Sequence, residues 1–246
     1  MAQSEFVLEM LNISKEFPGV KALDQVSLRV RPGTVHALLG ENGAGKSTLM
    51  KCLFGLYKED AGEIYLDGQK FAIQSAREAM DKGISMIHQE LHVNTHRNVM
   101  ENIWLGRFPK RRLGPVKLVD ERTMYQRTKE LFDSLNMDID PWTKVGDMSV
   151  SERQLMEIAR AVSYHSKVII MDEPTSSLTE NEVAQLFNII RDLKQRNVAI
   201  IYISHKIEEI LRISDEVSIL RDGKNVGTWK AEELTEDAII SHMVGR

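Results

Sequence analysis

Cysteine is nearly absent from this sequence: Cys52 is the sole thiol in 246 residues. No internal disulfide can form, and with no Cys or His near it in sequence Cys52 makes no metal site. It is expected in the core. Long apolar runs are also missing. The longest, residues 198–203, falls far short of the roughly 20 apolar residues that cross a bilayer. Positive charge is not in excess either, with a formal net charge of −4 and a pI near 6.0. No global basic field invites nucleic acid, and none is expected as a partner. The opening Met1-Ala2-Gln3-Ser4-Glu5 has neither a basic nor an apolar stretch, so no secretory signal is expected. These absences point to a reducing cytoplasm and leave any membrane association to partners.

What is present is ample for a core: 42% of residues are hydrophobic and 28% charged, enough for one large or two small domains. Val26, Leu28 and Val30 alternate like a strand before a Pro32-Gly33 turn. Residues 35–39, 84–87, 168–171 and 199–203 are short apolar runs without polar alternation, the pattern of strands covered on both faces. Asp67-Gly68 and Asp222-Gly223 are hairpin signals. Helical spacing marks Leu155, Ile158, Ala159 and Val162, and again Val183, Leu186, Phe187 and Ile190. The fold expected is α/β, a mostly parallel sheet flanked by helices, with an antiparallel β portion. Residues 94–163 lack a strong buried strand and are expected to form a helical insertion. The core would then comprise 1–93 and 164–246. Within the insertion, Lys110-Arg111-Arg112 is expected to be a basic loop, either a solvated connection or a contact with lipid head groups or a partner.

The densest chemistry is Gly40-Glu41-Asn42-Gly43-Ala44-Gly45-Lys46-Ser47-Thr48. It follows an expected strand and matches the P-loop pattern. Its glycines let successive N–H groups turn inward on a phosphate. Lys46 adds charge at the β- and γ-phosphates, Ser47 offers a hydroxyl to Mg²⁺, and the helix starting near Lys46 aims its dipole at the same anion. The strand at 168–171 ends in Asp172-Glu173. Such a pair can cap a helix; beside a P-loop, Asp172 would hold Mg²⁺ and Glu173 would polarise the attacking water. Gln89 and His205 also follow expected strands. The P-loop, Gln89, Asp172-Glu173 and His205 thus share the carboxyl edge of a parallel sheet, where ligands bind.

In this order these residues resemble the ABC ATPase family over essentially the whole chain. The resemblance implies that Gln89 senses Mg²⁺ and a partner, that His205 contacts the γ-phosphate, and that Phe17 stacks on adenine; as bare chemistry Phe17 would more often be a core aromatic. Where the family carries Leu-Ser-Gly-Gly-Gln, this chain has Met148-Ser149-Val150-Ser151-Glu152. Ser149 and Ser151 can still donate to the γ-phosphate of an opposing domain, while Val150 adds bulk. They also read as an N-cap, with Glu152 an early-turn acid. Thr179 stands where the family usually has Asp. The combination is most similar to the first ATPase domain of bacterial monosaccharide importers of the galactose and methyl-galactoside type. That implies ATP and Mg²⁺ as ligands and a second ATPase domain in the same polypeptide, so the chain is expected to be part of a longer one. It also implies a membrane permease fed by a periplasmic sugar-binding protein, and a peripheral place on the cytoplasmic face of the inner membrane. A soluble ABC ATPase acting on ribosomes or DNA, or a nucleotide sensor without turnover, would share most of these motifs.

Overall fold

The computed structural model describes residues 5–88, 93–113 and 115–245. The apolar runs form the interior of a six-stranded sheet of order β12-β11-β3-β10-β9-β6. Its strands are β3 (Val35–Leu39), β6 (Ile84–Ile87), β9 (Val168–Asp172), β10 (Ala199–Ile203), β11 (Glu216–Arg221) and β12 (Lys224–Lys230). Neighbours from β11 to β6 run parallel, and β12 joins the edge antiparallel. The lack of polar alternation has a direct cause, because alternate side chains enter two different cores. Ala37, Ile169, Met171, Ile200 and Tyr202 join one; Leu38, Ile170, Ile201 and Ile203 join the other.

On the first face lie α3 (Val99–Ile103), α4 (Glu121–Ser134), α5 (Val150–Val162), α6 (Glu180–Gln195), α7 (Ile207–Ile213) and α8 (Glu236–Val244). Both stretches with helical spacing fall in α5 and α6. The second face packs on α1 (Lys46–Leu53), α2 (Ala76–Asp81) and a four-stranded antiparallel sheet. That sheet has the order β2-β1-β4-β5, from β1 (Leu8–Phe17), β2 (Val20–Val30), β4 (Ala61–Leu66) and β5 (Gln69–Lys70). Cys52 lies in this second core at 1% exposure, and burial pushes its thiol up to about 11.

Both Asp-Gly pairs make hairpins, joining β4 to β5 and β11 to β12. Their φ values, 50° and 74° at Asp67-Gly68 and 50° and 73° at Asp222-Gly223, are those of a primed turn. One expectation fails in form. Lys110-Arg111-Arg112 is no loop but most of β7 (Lys110–Leu113), paired antiparallel with β8 (Val116–Val119). Three consecutive cations mask the period-two pattern by which a strand is recognised.

Candidate active site

The carboxyl ends of β3, β9 and β10 meet at one edge of the sheet, and the P-loop, Asp172-Glu173 and His205 emerge there. After β3 the chain turns at Gly40, where φ is 149° and a Cβ would collide with the Leu220 carbonyl oxygen. Gly45 has φ 103°, and a Cβ there would stand 2.7 Å from the Ala22 carbonyl oxygen. The loop is therefore pressed against β2 and the end of β11, and only glycine fits at these two points. Gly45 is also the N-cap of α1. It offers no side-chain cap, and no acid sits in the helix's first turn, so the first N–H groups of α1 remain available to an anion.

Lys46 Nζ crosses the loop, donating to the Gly40 carbonyl at 2.7 Å and the Glu41 carbonyl at 3.0 Å. Burial lowers its pKa, opposed by Asp172 and Glu173. Asp172 is shifted upward by burial first and then by Glu173, with Lys46 pulling the other way. A cleft of about 430 Å³ opens beside the loop, lined by Asn42, Gly43, Gly45, Lys46, Ser47 and Thr48. Its opposite wall is Val20, Lys21 and Ala22 of β2 with the Asp222-Gly223 turn. Nothing local in the sequence marks that wall; the sole signal, Asp222-Gly223, reads as a hairpin. A larger cleft, about 830 Å³, lies between α4 and the C-terminal end of α5. It holds none of the predicted residues, so size does not follow chemistry here.

Glu173 leaves β9 in the left-handed region, φ 50°, uncommon for a residue with a Cβ and costly unless its surroundings enforce it. Its N–H donates to the Ile203 carbonyl at 2.9 Å, which ties the turn to β10. His205, two residues past β10, places Nδ1 2.9 Å from Glu173 Oε2. That oxygen is buried, with the His205 ring nitrogen beside it. Behind the pair, Glu209 of α7 gathers the two segments: Thr175 Oγ1 and Tyr202 OH donate to its Oε2 at 2.9 and 3.0 Å, and Lys206 Nζ pairs with Oε1 at 3.1 Å. Burial and the Glu209 charge push the Tyr202 phenol far above its usual range. Glu209 was not anticipated; at the start of a short amphipathic helix it looks like a first-turn acid.

Phe17 ends β1, half-buried, with its ring 5.3 Å from Tyr57 at 73°. It is not among the residues lining the 430 Å³ cleft. Gln89 lies outside the described residues. Ser149 and Ser151 open α5. Ser149 is its N-cap in a closed capping box with Glu152, and Val150 is 55% exposed. The residues at the P-loop edge fit a nucleotide with Mg²⁺: an uncapped helix start, an ammonium, and a hydroxyl and carboxylate of the type Mg²⁺ prefers when phosphates complete its shell.

Comparison with known proteins agrees with this geometry. A model of the ABC transporter family matches residues 23–176, which includes the P-loop, Ser149, Ser151, Asp172 and Glu173. All of this chain aligns at 64% identity with the galactose/methyl galactoside import ATP-binding protein MglA of Clostridium tetani, covering 49% of it. The protein of the same name from Escherichia coli O157:H7 is 56% identical, with 48% of it covered. The chain thus spans about half the length of the curated relatives it matches. Among solved structures, an ATP-binding cassette of an ABC transporter in its ADP conformation superposes with a TM-score of 0.83 at 26% identity, over 99% of this chain and 100% of that one. A nucleotide-free cassette from an ABC transporter reaches 0.83 at 25% identity, over 98% and 96%. By fold, motif order and family match, this chain belongs to the ABC transporter family, as one of its ATP-binding cassettes.

Proposed function

We propose that the chain is a Mg-ATP-hydrolysing domain that drives sugar import through a membrane permease. The observation that carries this reading is Glu173, held at a positive φ beside His205 and close enough to Lys46 to act on its charge. The N–H groups of α1 and Lys46 hold the β- and γ-phosphates, and Phe17 serves adenine. Ser47, Asp172 and Gln89 hold Mg²⁺, which when bound neutralises charge developing on the transferred phosphoryl group. Glu173 accepts a hydrogen bond from the attacking water and aligns it with the γ-phosphorus. His205 contacts the γ-phosphate and keeps Glu173 oriented. Residues 1–93 and 164–246 act as the nucleotide core, and 94–163 as the helical region carrying Ser149 and Ser151 to an opposing ATPase domain in the same polypeptide.

The names of the relatives support galactose or a methyl galactoside as cargo, delivered by a periplasmic binding protein to the permease. Among the described residues no helix is long and apolar enough to cross a membrane, which suits a peripheral subunit at the cytoplasmic face. In the test, ATP turnover and ATP affinity are measured together in wild type and Glu173→Gln. Turnover should fall about 10²–10⁴-fold, the usual share of a positioned base, with affinity kept; unchanged turnover would overturn the catalytic assignment. Affinity capture of the full-length protein from native membranes tests the partner. A multi-span permease is expected, and ribosomes or DNA-repair factors in its place would overturn the transport reading.

A further inference from the structure

The β7–β8 hairpin stands apart from both sheets as a two-stranded sheet of its own. Its register pairs Lys110 with Val119, Arg111 with Leu118, and Arg112 with Lys117. Cross-strand partners share a face and successive residues alternate. One face therefore carries Lys110, Arg112 and Lys117 with Val119; the other carries Arg111 with Leu118 and Val116. Both faces are open: Val116 is 54%, Leu118 40% and Val119 44% exposed. None of Lys110, Arg111, Arg112 and Lys117 forms an ion pair among the described residues. From Asn102 to Val119 the sequence has no acid, although the whole chain is net negative at −4. Cations on edge strands also discourage sheet pairing, but that role needs neither exposed aliphatics nor an acid-free run around them.

From this charge and exposure we infer that the hairpin binds an anionic lipid surface. Exposed cations along a ribbon suit a laterally continuous negative surface, since head-group phosphates need no pocket. The aliphatic side chains add shallow insertion at the head-group boundary. The hairpin lines neither cleft described above. The inference rests on the proposed function only in placing a membrane within reach, and it would orient the helical region against that membrane.

The test is flotation of the full-length protein with phosphatidylcholine vesicles and with vesicles containing phosphatidylglycerol, at low and high salt. Binding is expected to the anionic vesicles alone and to fall at high salt, because exposed charges are screened. Replacing Lys110, Arg111, Arg112 and Lys117 by Gln should weaken binding at least about tenfold, with melting temperature and ATP affinity unchanged. Val116→Ser with Leu118→Ser should weaken it less and leave the salt dependence in place. Equal binding to neutral vesicles, or full binding by the four-Gln variant, overturns the inference. So does a wild-type protein that ignores vesicles while the four-Gln variant fails to co-purify with a permease in detergent, since the hairpin then reads protein. Loss of ATPase activity with intact vesicle binding would fault the proposed function alone.

Discussion

The helices α1 and α5 both begin where the proposed chemistry needs phosphate, and they treat their first N–H groups in opposite ways. At α1 the N-cap is Gly45, with no side-chain cap and no acid in the first turn. At α5 a capping box engages the helix start from within: Ser149 Oγ accepts from the Glu152 N–H at 3.2 Å, and Glu152 Oε2 accepts from the Ser149 N–H at 2.7 Å and from its hydroxyl at 2.8 Å. The carboxylate of Glu152 is itself the anion at this helix start, held on the Ser149 N–H. A helix start left uncapped is prepared for an external ligand, while one closed by its own capping box meets an incoming anion with a carboxylate. The first suits a site that binds nucleotide alone, the second a site that matters only when another domain closes on it.

Lys46→Ala tests the open end most severely. It deletes a charge-assisted contact worth about 1.5–3 kcal/mol, so ATP affinity by calorimetry should fall about ten- to a hundredfold. Near-normal affinity would mean that the α1 start does not hold the phosphates. Asp172→Asn probes the same end through stability. Burial raises the Asp172 pKa, so the folded state prefers the protonated form. That preference stabilises the fold at acid pH and is lost as pH rises through the folded-state pKa. Asp172→Asn should therefore raise the melting temperature at neutral pH, by an amount that shrinks as pH falls into the carboxyl range. It should also abolish the Mg²⁺ dependence of ATP binding. A melting temperature that does not rise would show Lys46 outweighing burial at this carboxylate. At the closed end, Ser149→Ala removes a cap worth about 1 kcal/mol and should lower the melting temperature by about 2–4 °C, with ATP affinity intact. Loss of affinity in this variant would break the contrast between the two ends.

How much of this was legible beforehand follows from how local each signal is. The strands at 84–87, 168–171 and 199–203 and the P-loop declare themselves because burial on two faces and a phosphate nest each impose a pattern on consecutive residues. The facing wall of the cleft, Val20, Lys21, Ala22 and Asp222-Gly223, comes from chain far from the P-loop, and its position depends on a packing no short window encodes. Glu209 was hidden for a related reason: besides Lys206 at the start of its own helix, its partners Tyr202 and Thr175 come from β10 and the turn after β9. The β7–β8 hairpin was masked by charge.

The smallest effect is the most discriminating. Glu152→Gln keeps both hydrogen-bonding capacities of the capping box and removes only the negative charge. A carboxylate at a helix N-terminus contributes about 0.3–1 kcal/mol, so the isolated fold should lose no more than that. In the closed sandwich the same carboxylate would oppose the γ-phosphate of the other site. Removing it should raise turnover of the full-length protein about two- to fivefold, the equivalent of that energy. A rise in turnover with a slight fall in melting temperature would place the α5 start against phosphate and identify Glu152 as a brake on that site. A fall in melting temperature alone would leave Ser149 and Glu152 as a helix cap and nothing more, and the contrast with α1 would become one between a binding site and a structural end.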